Sequence, residues 1–329
     1  MSSKIQILLA IIPSLVLFLN SSKIGKKLKL LDFPDNKRKI HVSPIPKMGG
    51  ITLYLSVIIF LTLNLKNIDN YLNVIFISFF FALGLIDDIK DLSSNLRLVL
   101  SFIFLIIFFN FDKDILINNV KIFNKDLNLT FYFHFIVILL LTTLCVLLLQ
   151  NAINMMDGIN TVCALFIIFC LVLFSIKNSF TPLDWLMIIN LLIFTAFNYK
   201  NKIFLGNSGA YFLSSFLAFK ILYQNHSSYA YTAEEIFIIL MIPGLDMFRL
   251  FIFRILKKQN PFKADNDHLH HLILKYFNGK YNLSIILTII VVCIPGLFDY
   301  FFNVQSYYLI FSFIFLYSLL IVKLKKKLF

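Results

Sequence analysis

The chain has 329 residues, of which 59% are hydrophobic and only 14% charged, and its mean hydropathy is +0.85. Soluble domains hold apolar residues to about half of their composition, so a water-soluble globular protein is excluded. A formal net charge of +13 would suggest nucleic-acid binding on a soluble chain, but here Lys and Arg fall in short loops between apolar runs, which favours a membrane protein.

Crossing a bilayer as a helix takes roughly 20 apolar residues, with about 17 tolerated. Runs near that length recur at 5–20, 48–65, 71–86, 98–111, 131–150, 161–176, 184–198, 208–224, 235–253, 282–298 and 307–322. The expected fold class is therefore an all-α membrane protein, a polytopic bundle of about 11 transmembrane helices forming one domain over 1–329. The first run lacks a small-residue cleavage site and reads as a retained span. Cys145, Cys163, Cys170 and Cys293 lie in or beside apolar runs without metal-ligand spacing, as buried apolar residues do.

Loops 21–47, 87–97, 151–160, 199–207 and 254–281 fall on one face. With the last counted from Arg249 and the tail from Lys323 added, this face carries 23 of the 30 Lys and Arg residues. The asymmetry predicts a cytoplasmic face, an outside N-terminus and an inside C-terminus. Segment 21–33 is basic and amphipathic, and is expected to lie along the inner membrane surface against anionic headgroups. On the opposite face, 112–130 alternates polar and apolar residues as a small hairpin would.

Five polar clusters sit on the predicted cytoplasmic face. HVSPIPKMGG begins at His41; Pro44 and Pro46 enforce extended backbone, and Gly49–Gly50 allow close approach at a span start. A simple helix-start turn would look the same. GLIDDIKDLSS carries Asp87, Asp88 and Asp91, whose helical spacing lets all three share one face. Acidic groups at a span end need water, a cation or a partner, so this cluster suits Mg²⁺, a cationic substrate or a general base. QNAINMMDGINT places Asn154 and Asp157 three apart, fit for a hydrogen-bonding ligand, although a plain turn would also account for it. FLGNSG offers free N–H groups at a helix start to a phosphate and the Asn207 oxygen to a metal; helix capping is an equal account. KADNDHLHH gathers His268, His270 and His271 near Asp265 and Asp267. No cysteine is near, so a pyrophosphate grip fits these imidazoles better than zinc does.

In this order the motifs HVSPIPKMGG, DDIKD, NAINMMDG, FLGNSG and DNDHLHH resemble the polyprenyl-phosphate N-acetylhexosamine-1-phosphate transferase superfamily, glycosyltransferase family 4. The predicted topology and the form DHLHH are more similar to its WecA-like branch than to the related MraY branch. The resemblance implies transfer of N-acetylhexosamine-1-phosphate, such as GlcNAc-1-phosphate, from a UDP-sugar to undecaprenyl phosphate. UMP leaves, and the product serves as the first membrane intermediate of O-antigen or a similar envelope polysaccharide. It further implies Mg²⁺, with Mn²⁺ as a substitute, a bacterial cytoplasmic (inner) membrane location, and a second copy of the chain as an optional partner.

Carried onto this sequence, the resemblance makes Asp87 and Asp88 the acidic pair, with Asp91 supporting them and Asp88 also a metal ligand. Asn154 and Asp157 would bind the nucleotide or order the site. His268, His270 and His271 would engage the nucleotide-sugar, and Lys47, Arg249 and Arg254 phosphates. Two positions depart from the family pattern: Asn207 stands where a magnesium-binding Asp is usual, and Asn160 where a second Asp often follows DG. Both remove negative charge, so weaker metal binding is expected. The alternatives are a catalytically weakened paralogue, a polybasic scaffold and a transporter. A transporter would place its carboxylates near the midplane rather than at span ends.

Overall fold

A computed structural model of the chain describes residues 2–34, 43–64, 68–123, 125–228, 231–261, 266–302 and 304–326. His41 and Asp265, singled out above, lie outside the described residues. The elements in chain order are α1 (Ser3–Lys27), β1 (Leu31–Asp32), β2 (Ile45–Pro46), α2 (Gly49–Thr62), α3 (Ile68–Lys90), α4 (Ser94–Phe111), β3 (Asn119–Ile122), β4 (Lys125–Asn128) and α5 (Leu129–Tyr132). They continue with α6 (Phe135–Met156), α7 (Val162–Asn178), α8 (Pro182–Tyr199), α9 (Gly206–Ser228), α10 (Ala233–Leu256), α11 (Leu269–Tyr276), α12 (Tyr281–Phe301) and α13 (Ser306–Lys326).

Each predicted apolar run coincides with a helix, and the fold is that of a mostly helical, multi-pass membrane protein. Among the described residues, eight helices are long and apolar enough to cross a membrane: α1, α3 from Tyr71, α4, α6, α8, α10, α12 and α13. Helices α2 and α7 are apolar but shorter. Local chemistry sets several starts. Thr181 caps α8 in a reciprocal box with Asp184, and Thr232 caps α10 with Glu235 in the same way. Large apolar side chains such as Leu19 on α1 and Phe311 on α13 stay exposed, at 73% and 72%. That exposure would be costly in water but suits contact with lipid.

The chain groups into two compact units. The first comprises Met1–Ser93 and Cys163–Phe219. Here α1, α2 and α8 pack together through Ala10, Ile11, Phe60 and Leu186. Asn190 of α8 pins them: its Oδ1 lies 2.6 Å from Ser14 Oγ, and its Nδ2 donates to Ser56 Oγ at 3.0 Å. Inside lipid, where helices gain no hydrophobic driving force by associating, such polar contacts and close packing do the joining. Segment 21–33 is not one continuous amphipathic stretch. Its first part continues α1 to Lys27, and Leu31–Asp32 then pairs antiparallel with Ile45–Pro46. The reason is packing: Gly25 closes against the Pro46 side chain, and Leu30 is buried with its carbonyl accepting from Lys47 N–H at 3.0 Å.

The second unit comprises Ser94–Val162 and Lys220–Phe329. Helix α6 packs on α4 and α10, and α10 packs on α12 and α13. Ile238 and Met241 of α10 meet Leu309 and Phe313 of α13. The 112–130 connection does fold as a hairpin, with Asn119 opposite Asn128 and Ile122 opposite Lys125. Its tip is tied to α10 by Phe123 N–H donating to Glu234 Oε1 at 3.0 Å.

Replacing Asn190 with Ala leaves Ser14 and Ser56 without their shared partner. A loss of about 1 kcal/mol is expected, seen as a lower thermal unfolding midpoint in detergent; an unchanged midpoint would show that the amide joins nothing.

Candidate functional site

In the first unit three motifs are stitched together by backbone. Phe204 N–H donates to Pro46 O, and Gly49 and Gly50 N–H donate to Phe204 O and Leu205 O, each at 2.9 Å. Glycines make this approach feasible. A Cβ on Gly50 would strike the Gly209 backbone, and one on Gly84 would strike the Asn207 carbonyl. PKMGG, GLIDD and FLGNSG are therefore packed backbone to backbone.

At their junction lies Asp88, whose side chain is 1% exposed. Asn207 N–H donates to its Oδ1 at 3.0 Å and Ser208 N–H to its Oδ2 at 2.9 Å. The carboxylate thus sits on the N-terminus of α9, where unpaired N–H groups and the helix dipole favour an anion. Gly206, with φ of +76°, supplies the turn that aims those N–H groups, and a Cβ there would lie 2.7 Å from Asp88 Oδ2. Lys47 Nζ stands 3.8 Å from Asp88 Oδ1 and 3.6 Å from Asp32 Oδ1.

The other acidic residues take different places. Asp87 is buried, and its Oδ1 accepts from Leu92 N–H at 2.8 Å, closing the end of α3. Asp91 is exposed in a left-handed turn, φ +48°, beyond the last residue of α3. The shared face expected of Asp87, Asp88 and Asp91 requires the helix to continue, and it stops one residue too early. Asn207 is half-buried, and among the described residues its side chain makes no hydrogen bond. No group of three or more His, Cys, Asp or Glu among the described residues is arranged to hold a metal. Asp88 and Asn207 nonetheless offer oxygen donors on neighbouring segments. That chemistry fits Mg²⁺, which binds through one or two carboxylates and keeps waters or phosphates.

The second unit holds the remaining residues. Asn154 is half-buried on the last turns of α6, and Asp157 is the residue that ends that helix. The following turn is held by Asn160 N–H donating to the Tyr281 hydroxyl at 3.0 Å. His268, His270 and His271 cluster at the start of α11. The His268 and His270 rings are nearly parallel with centroids 5.7 Å apart, and those of His270 and His271 are 4.3 Å apart. His270 is buried, and its ring lies against Gly158 so closely that a Cβ there would overlap Nε2. Burial, then the neighbouring His271 and His268, push the His270 imidazole well below its ordinary value of 6.5. His270 thus packs on the MMDG turn with its charged form disfavoured, and the neutral ring keeps one N–H donor. His271 is half-buried.

Asp246 was not among the residues expected at the site. It lies on α10, 7% exposed, and collects donors from several elements. Arg249 Nη2 and the Tyr317 hydroxyl each donate to its Oδ1 at 2.8 Å. His268 Nδ1 is 3.0 Å from its Oδ2, and Leu269 N–H is 3.2 Å from both oxygens. Arg249 also donates to the Asp267 carbonyl at 2.6 Å, and buried Arg254 to the Pro261 carbonyl at 2.7 Å. Both guanidinium groups thus hold the chain leading to the histidines. The signal in the sequence is an Asp–Arg pair three residues apart inside an apolar run, since an ionisable residue there needs a partner.

The family model described as "Glycosyl transferase family 4" matches residues 70–225. The undecaprenyl-phosphate alpha-N-acetylglucosaminyl 1-phosphate transferase of Thermotoga maritima is 27% identical over 302 residues, spanning 91% of this chain and 88% of the relative. A probable undecaprenyl-phosphate N-acetylglucosaminyl 1-phosphate transferase of Bacillus subtilis is 26% identical, over 87% and 82% of the two chains. The Escherichia coli K12 protein with the same name as the Thermotoga relative is 27% identical, over 77% and 71%. Over residues 70–225 the chain is similar to glycosyl transferase family 4. The matched stretch contains Asp87, Asp88, Asn154, Asp157 and Asn207, while Lys47, Asp246 and the histidines lie outside it.

A neutral, buried His270 gives a signed pH dependence. As pH falls below about 6.5 the unfolded chain takes up a proton that the folded chain refuses. This residue's contribution to stability is full above that pH and declines below it, down to the depressed folded value. The unfolding midpoint is expected to fall between pH 7 and pH 5.5, and His270→Asn should flatten that fall; an equally steep fall in the variant would contradict the assignment. Gly158→Ala should displace the ring and destabilise the fold by roughly 1–3 kcal/mol, read from the same melting curves.

Proposed function

We propose that this chain acts as a member of glycosyl transferase family 4 and transfers N-acetylhexosamine-1-phosphate, GlcNAc-1-phosphate or a close relative, from a UDP-sugar to a polyprenyl phosphate such as undecaprenyl phosphate. A lipid phosphate oxygen bonds to the sugar-bearing phosphorus, the bond from that phosphorus to UMP breaks, and UMP leaves. The observation that carries the reading is the Asp88 carboxylate on the N-terminus of α9, with the Lys47 ammonium 3.8 Å away. The names of the relatives, which include undecaprenyl phosphate and an N-acetylglucosaminyl 1-phosphate group, support the substrate classes.

Phosphoryl transfer asks the protein mainly for positioning and charge compensation. Lys47 meets a phosphate of the substrates, and Asp88 keeps that ammonium and the α9 turn in place. Asp87 positions or deprotonates the lipid phosphate. Mg²⁺, or Mn²⁺ in its stead, would be held by Asp88 and the Asn207 amide oxygen and would neutralise phosphate charge when bound. Asn154, Asp157 and the histidine segment take the nucleotide-sugar. Eleven spans with the N-terminus outside and the C-terminus inside put the motif loops in the cytoplasm of a bacterium, at its inner membrane. The product feeds envelope glycan synthesis.

The test is UMP release and lipid-product formation by the purified chain in lipid, with undecaprenyl phosphate, Mg²⁺ and a panel of UDP-sugars. Asp88→Asn should lose about 100-fold or more in turnover. Asn207→Asp should reach half-maximal rate at a lower Mg²⁺ concentration, because an added carboxylate strengthens a hard-cation site. Full turnover in Asp88→Asn would remove the assigned site. No UMP release from any UDP-sugar at any Mg²⁺ concentration would refute the reaction and indicate an inactive paralogue.

A further inference from the structure

The Asp246 carboxylate is surrounded by donors. Arg249 Nη2, the Tyr317 hydroxyl and Leu269 N–H all give hydrogen to it. Arg249 Nε in turn donates to the Tyr317 oxygen at 3.1 Å, so the hydroxyl proton is directed at Asp246. A carboxylate placed among a guanidinium, a phenol and a backbone N–H acts as an acceptor only. The remaining close group is His268 Nδ1, at 3.0 Å from Oδ2, and its role is then forced: this nitrogen carries a hydrogen. Among the described residues the ring makes no other hydrogen bond. His268 also directly precedes α11, whose first N–H, that of Leu269, ends on the same carboxylate. The ring and the helix start are thus fastened to one point.

We propose that Asp246 is a positioning residue that fixes His268 with Nδ1 protonated and turned inward, leaving Nε2 as the nitrogen that exchanges a proton and faces an anionic phosphate of the nucleotide-sugar. The identity of that anion rests on the function proposed above; the tautomer does not. The inner bond Nδ1–H to Asp246 is the same whether the ring is neutral or charged, so only Nε2 changes between the two forms. A proton taken up at Nε2 makes a second N–H donor without disturbing the ring's anchorage. His270, in contrast, has its Nε2 packed on Gly158, which separates the duties of two neighbouring histidines.

The experiment uses the full chain in lipid nanodiscs, labelled with ¹⁵N-histidine, with the His268 ring signals assigned by their loss in His268→Gln. Ring ¹⁵N shifts of the wild type should show a protonated Nδ1, with Nε2 alone changing as pH is lowered. In Asp246→Asn the amide presents a donor to Nδ1, and the proton should move to Nε2. Tyr317→Phe removes one donor from Asp246 but leaves the ring contact, and should keep the wild-type tautomer. In the UMP-release assay Asp246→Asn should lower kcat/KM roughly 10- to 100-fold. Combined with His268→Gln it should be no worse than His268→Gln alone, because both changes remove one device. A wild-type ring bearing its proton on Nε2, or an Asp246→Asn ring with unchanged shifts, would overturn the proposal, as would losses that multiply in the double variant. If the wild type releases no UMP from any UDP-sugar, the functional reading fails, while the ring shifts still decide the tautomer.

Discussion

A carboxylate at the end of an apolar helix needs hydrogen-bond donors, and much of this protein's local order follows from where it finds them. Leaving water without donors would cost such a group several kcal/mol. Asp88 takes two backbone N–H groups from the start of α9. Asp246 takes one from the start of α11, together with donors from Arg249, Tyr317 and His268. Each unit therefore uses the same device: an acidic side chain on one helix caps another helix from outside. The need is mutual, since the first N–H groups of a helix have no partner within it. The polar motifs stand where one element's surplus donors meet another's surplus acceptor.

The glycines set how closely these elements can approach. Gly50 and Gly209 place two backbones in contact, Gly84 lets α3 reach the Asn207 carbonyl, and Gly206 provides both the left-handed turn and the room for Asp88. In the other unit Gly158 receives the His270 ring. At each of these points a methyl group would crowd a neighbouring atom: backbone at Gly50 and Gly84, the Asp88 carboxylate at Gly206 and the imidazole at Gly158. The consequence is functional as well as steric. His270 is buried with its protonation disfavoured, whereas His268 is tied to the Asp246 carboxylate, so these two histidines are not equivalent.

Much of this was legible beforehand. The eleven apolar runs each became a helix and the alternation in 112–130 became a hairpin; of the motif residues, Asp87, His268 and His270 are buried. Three readings met a limit. Asp91 was placed beside Asp87 and Asp88 by helical spacing, but α3 ends at Lys90. Segment 21–33 reads as one amphipathic stretch, but it divides into the end of α1, a buried Leu30 and a short strand pairing. Asp246 has one local signal, Arg249 three residues on, but its partners Tyr317 and His268 are 71 and 22 residues away and no local pattern announces them.

By itself the sequence determined the membrane-protein class and the position of the helices. Those depend on length, hydropathy and composition, which are local quantities measured against the thickness of a bilayer. Only the tertiary structure decided what each active group touches. Asp88 meets N–H groups 119 and 120 residues away, and Asp246 meets a hydroxyl 71 residues away. Helical periodicity relates residues three or four apart and carries no information about such partners. A cap supplied by a remote carboxylate exists only once the chain has folded, and on that depends which of the Asp, Asn and His residues are held in place and which remain free to act.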